Sequence, residues 1–117
     1  EVGYAELSDR TPGESSAAVR ARVNAARRMQ RERFQKDGVF TNAQMNAALI
    51  KRYCTPAGEA EKLLKTAFER MRLSARAYQR ILKVARTIAD VEGSAAILTE
   101  HYAEAVQYRS LDMSVRG

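Results

Sequence analysis

Two sets of arginines are the residues through which this chain could do chemistry. The first runs Arg20, Arg22, Arg27, Arg28, Arg31, Arg33 and Lys36, opposed between positions 20 and 36 only by Glu32. If that stretch is helical, Arg20, Arg27 and Arg31 lie within about 40° of one another, with Arg28 further round. Such a face could follow a phosphate backbone or receive the acidic side of another subunit. A solvated surface is the plain alternative, because arginine is a good helix former. The second set is Arg76, Arg80, Lys83 and Arg86, which share one polar arc with Gln79, Thr87 and Asp90 on a helix that begins after Ser74. Arg76 falls in that helix's first turn, where free N–H groups and the positive dipole end already favour anions. An arginine there costs helix stability, and a phosphate gripped by the planar guanidinium would account for it. An ordinary surface arginine remains the other reading.

The remaining reactive side chains are sparse. His101 has Glu100 and Glu104 for neighbours, which is too few ligands from one helix for a metal site, so a partly buried, hydrogen-bonded ring is expected. Cys54, beside Tyr53 and near Pro56, reads as a packed thiol. No nucleophile-and-base pair, glycine-rich phosphate loop or pair of catalytic carboxylates can be found, so no catalytic residue and no metal ligand is assigned.

Hydrophobic periodicity supplies the elements that would hold these groups: five helices and no convincing strand. The first is expected from Ser15 to Gln35, with Val19, Val23, Ala26, Gln30 and Phe34 facing inward and Asp37-Gly38 ending it. The second spans about Asn42 to Tyr53, with Met45, Leu49 and Tyr53 on one side. Thr55-Pro56 opens a third, proline taking the first helical position, with Ala60, Leu63, Leu64, Ala67, Phe68 and Met71 inward. The fourth, Ser74 to about Glu92, is stopped by Gly93 and carries two apolar stripes. These are Ala77, Ile81, Val84, Ile88 and Val91, and Tyr78, Leu82, Ala85 and Ala89, so it should be the central helix. A fifth runs from Thr99 to about Tyr108 and should bury Leu98, Tyr102, Ala105 and Val106. The fold class is therefore all-α, a small bundle of about five helices.

Composition agrees with one soluble domain. The chain has 117 residues, 45% hydrophobic and 29% charged, enough to bury about 65% of its extended surface around one core. Its net charge of +6 suits a phosphate-rich partner, nucleotide or nucleic acid, and equally a solubilising surface. A single cysteine excludes an internal disulfide, and with a single histidine it cannot form a Cys/His zinc site. No apolar run approaches a membrane span and no signal-peptide pattern appears, so no membrane partner and a cytoplasmic location are expected. The opening Glu1-Val2-Gly3-Tyr4-Ala5-Glu6-Leu7-Ser8 reads as the end of an element and a connector, closed by Thr11-Pro12-Gly13.

Three blocks resemble the C-terminal region of magnesium-chelatase-like AAA+ ATPases of the ComM/YifB type. They are Gly13-Glu14-Ser15-Ser16-Ala17-Ala18-Val19-Arg20-Ala21-Arg22-Val23 with Ala26-Arg27 and Gln30, then Leu73-Ser74-Ala75-Arg76-Ala77-Tyr78-Gln79-Arg80 continuing to Asp90, then His101 to Arg109. Positions 36 to 60 carry little of the pattern. The resemblance implies a helical lid over residues 15–109, a connector from an upstream ATPase core over 1–14, and a C-terminal tail over 110–117. It implies that Arg76 is the sensor-2 arginine, which touches the γ-phosphate of ATP in its own or a neighbouring subunit. ATP and Mg2+ would then belong to the full-length parent alone, and this segment would not be an enzyme by itself. Its partners would be the ATPase core, a homo-oligomeric ring (a hexamer) and DNA, with Arg20, Arg27, Arg31 and Arg80 offering phosphate or subunit contacts. The alternative is a self-sufficient basic helical module that binds nucleic acid directly.

Overall fold

In the computed structural model, which describes residues 14–116 and side chains as far as 110, the helices are α1 (Ser16–Arg33), α2 (Ala47–Cys54), α3 (Glu59–Arg70), α4 (Ala75–Val91) and α5 (Thr99–Arg116). A single 3-10 turn, Asn42–Gln44, precedes α2, and the described residues contain no strand. The described residues are all-α, as their periodicity requires. The connector expected over 1–14 lies outside the described residues except for Glu14.

α4 is the hub. It packs against α1, α2, the 3-10 turn and α5, while α3 rests on α5. Ser74 caps it, its hydroxyl accepting the Ala77 N–H at 3.0 Å. At the other end Ser94 N–H reaches Ala89 O and Gly93 N–H reaches Asp90 O, with Gly93 left-handed at φ 76°. The core below it gathers Phe34, Met45, Ile50, Cys54, Leu64, Leu73, Ile81, Leu82, Ala85 and Tyr102. Tyr102 ties α5 to the end of α2 by donating its hydroxyl to Cys54 O at 2.8 Å.

Four expectations need correction. The second expected helix is broken: Gln44 Oε1 accepts the N–H groups of Phe40 and Thr41, fixing a separate turn, and Met45 then turns extended before Asn46 caps α2 through Leu49 N–H. Pro56 is not the first helical residue, because Gly58 sits left-handed at φ 61° and α3 starts only after it, with Glu59 and Glu61 in its first turn. Leu98 and Phe68 are 48% and 41% exposed instead of buried, Phe68 standing edge-on to Tyr78 at the rim. α5 runs on to Arg116, past the expected end near Tyr108.

The end of α3 repeats the stop of α4 with a less suitable residue. Leu73 N–H reaches Phe68 O, and Arg72 takes the left-handed position at φ 52° where α4 uses glycine. That conformation costs a side-chain-bearing residue about 1–2 kcal/mol, and glycine would return roughly 0.5–1 kcal/mol of it as chain entropy. Arg72→Gly is therefore expected to raise stability by up to about 1 kcal/mol, read as a higher urea midpoint.

Burial also sets the chemistry of the core thiol. Cys54 is 1% exposed, and desolvation pushes it from 9.0 up to about 11. Desolvation likewise takes Tyr102 up to about 12. Both groups are held neutral in the fold, so their contribution is complete below about pH 9 and is lost as pH rises through about 11 for Cys54 and about 12 for Tyr102. Urea unfolding followed through that range should show stability falling, and falling less steeply for Cys54→Ala.

Candidate phosphate-facing site

The arginine-rich stretch of α1 divides when folded. Arg20, Arg27, Arg28 and Arg31 stay exposed, as a solvent-facing or partner-facing array requires. Arg22 pairs with Glu14 on the surface. Arg33 instead turns inward, its Nη2 lying 2.6 Å from Asp90 Oδ1 and its Nη1 3.0 Å from Oδ2, a bidentate fork. The basic excess of this helix is thus smaller than its sequence suggests.

α4 divides in the same way. Arg76 and Arg80 are exposed, and no described carboxylate pairs with either. Arg76 is the second residue of the helix, and Ser74 caps the Ala77 N–H alone, so the N–H groups of Ala75 and Arg76 have no acceptor within the helix. Lys83, half-buried, donates to Ala43 O at 3.0 Å. These three cations line one wall of a groove of about 890 Å³ between α4 and α5. Its floor is Val84, Ile88 and Val91, which were expected in the core and are only half-buried, because α5 covers the other side of their stripe.

Arg86 and Asp90, placed by periodicity in the polar arc, are instead 4% and 1% exposed. Arg86 Nη2 lies 3.1 Å from Asp90 Oδ1, and its guanidinium donates to Ser94 O and Ala95 O, holding the loop that leads to α5. Its pKa is lowered by desolvation, against which the Asp90 charge works. Asn42, also buried, accepts from Arg33 and donates to Asp90 and Thr87, while its own N–H goes to Gln30 Oε1. The sequence does not reveal this network as such. Its only signals are Gln30 inside an apolar stripe and Asp90 between Ala89 and Val91.

His101 is fully buried. Its Nδ1 accepts the Leu98 N–H at 2.8 Å, so the neutral ring carries its proton on Nε2, which faces Glu92 Oε1 at 2.8 Å. Glu92, Glu100 and His101 bring ligand atoms within 4.8 Å of one another. The tautomer makes Nε2 a donor, the reverse of a metal-bound histidine, whose second nitrogen donates outward. The ring serves to cap α5.

No helix among the described residues is long and apolar enough to cross a membrane. The family described as magnesium chelatase, subunit ChlI C-terminal, matches residues 13–109. The chain is similar to the uncharacterized protein YifB of Escherichia coli, 45% identical over 101 residues that make up 86% of this chain and 19% of that protein. It is 43% identical to the competence protein ComM of Haemophilus influenzae over 85% of this chain and 19% of that protein, and 36% identical to the uncharacterized protein Rv2897c of Mycobacterium tuberculosis over 83% and 19%. The chain therefore spans about a fifth of the length of these relatives. With most of its length matched to one family, the chain belongs to the magnesium chelatase, subunit ChlI C-terminal, family, as a C-terminal domain of ComM-type proteins.

Proposed function

We propose that this domain is the nucleotide-sensing lid of a magnesium-chelatase-like AAA+ ATPase, with Arg76 as the sensor-2 arginine. The observation that carries the reading is Arg76 itself, an exposed residue in the first turn of α4 that no carboxylate among the described residues pairs with, in a turn whose leading backbone N–H groups have no acceptor within the helix. These groups fit phosphate oxygens. ATP and Mg2+ belong to the full-length parent, whose upstream core would hold the metal and activate water. α4 anchors Arg76 to a core shared with four other elements, so closing of the lid would move the guanidinium as part of a rigid body. The parent would be a ring-forming cytoplasmic motor that acts on DNA, a reading supported by likeness to a competence protein. In that parent, Arg76→Ala should slow ATP hydrolysis while leaving the domain folded.

The second reading, a self-sufficient nucleic-acid module, rests on the exposed Arg20, Arg27 and Arg31 of α1. Contacts from that face would be to phosphates alone, so DNA binding by the 117-residue chain should be weak and should fall steeply with salt. Fluorescence anisotropy with duplex DNA at rising salt checks this. Tight, sequence-selective binding at physiological salt would favour the second reading over the lid.

A further inference from the structure

The α4–α5 groove has opposite charges at its two ends. Arg76, Arg80 and Lys83 stand toward the N-terminal end of α4, and Glu92, with Glu104 of α5, stands toward the other. Between them lie the half-buried Val84 and Ile88, walled by Tyr108, which is 54% exposed and donates its hydroxyl to Glu104. From Arg76 to Glu92 the helix rises about 24 Å. That span is too long for a mononucleotide, and the acidic end opposes a polyanion lying along the whole groove.

We infer that the groove is a docking site for an amphipathic helix of a protein partner, about four turns long, acidic in its first turn and basic in its last. The charges fix the direction: the acidic end meets Arg80 and Lys83, and the basic end meets Glu92 and Glu104. That distribution also suits the partner's own helix dipole, which favours acids at the N-terminus and bases at the C-terminus. Its apolar residues at i, i+3, i+4 and i+7 would cover Val84 and Ile88, with Tyr108 as the aromatic anchor. The partner helix would therefore lie parallel to α4. The site uses Arg80, Lys83 and the apolar floor, so it stands whether or not Arg76 senses nucleotide.

The test uses two synthetic peptides of about sixteen residues, enough to span the groove as helices. Both carry the same leucine stripe; one has Glu in its first turn and Lys in its last, and the other has these charges exchanged. Binding to the 117-residue chain is measured by fluorescence anisotropy at low salt. The Glu-first peptide should bind about tenfold more tightly, given several exposed charge pairs of modest strength. Arg80→Glu, at an exposed position that leaves the core untouched, should abolish or invert that preference, and Ile88→Asp should remove binding of both peptides. Absence of binding, equal binding of the two peptides, or an unchanged preference in Arg80→Glu overturns the proposal.

Discussion

Asp90→Ala is expected to cost the domain about 3–5 kcal/mol, the penalty for removing one partner from a buried ionic cluster. Among the described residues Asp90 is the one carboxylate held between Arg33 and Arg86, and Asn42 also donates to it. Without it two guanidiniums face each other, Arg86 almost wholly out of water. Small domains have about 5–15 kcal/mol of stability in total, so the variant should be near its unfolding midpoint at mild urea concentrations. Asp90→Asn keeps the shape and one accepting oxygen while removing the charge, and should fall between wild type and alanine. The cluster joins α1, the 3-10 turn, α4 and the loop before α5, so its loss should loosen the framework as a whole and not one helix end.

The second large effect is on turnover. In the full-length parent, Arg76→Ala should lower ATP hydrolysis by roughly 10- to 1,000-fold, the range for removing one prearranged charge-stabilising donor. The helix should keep its stability, since alanine is the better helix former and position 76 is exposed. Arg86, ten residues further along the same helix, cannot serve as the neutral comparison that its sequence position suggests. Arg86→Ala would open the Asp90 cluster and lower stability, which confounds any change in activity.

The sequence made the architecture legible where periodicity and capping agree. Ser15, Ser74 and Gly93 mark helix ends because their side chains, or the lack of one, meet a specific backbone need. Two kinds of feature stayed hidden. Local backbone choices such as the turn fixed by Gln44 and the left-handed Gly58 depend on single hydrogen bonds and torsions that a hydrophobic pattern does not record. Arg33, Arg86 and Asp90 looked like surface charge because a polar residue's burial is decided by tertiary partners far away in sequence, Arg33 and Asp90 being 57 positions apart. The exposed candidates Arg20, Arg27, Arg31, Arg76 and Arg80 were readable as exposed for the opposite reason: no partner among the described residues draws them inward.

The most direct measurement of the lid proposal is ATP turnover and thermal midpoint, taken side by side in the full-length parent for wild type, Arg76→Ala and Lys65→Ala. Lys65 is an exposed cation on α3 that does not line the α4–α5 groove, and it controls for simple loss of positive charge. The account predicts unchanged midpoints for both variants, near-wild-type turnover for Lys65→Ala and a loss of at least about tenfold for Arg76→Ala. Equal turnover in the two variants would contradict it and leave Arg76 an ordinary surface arginine.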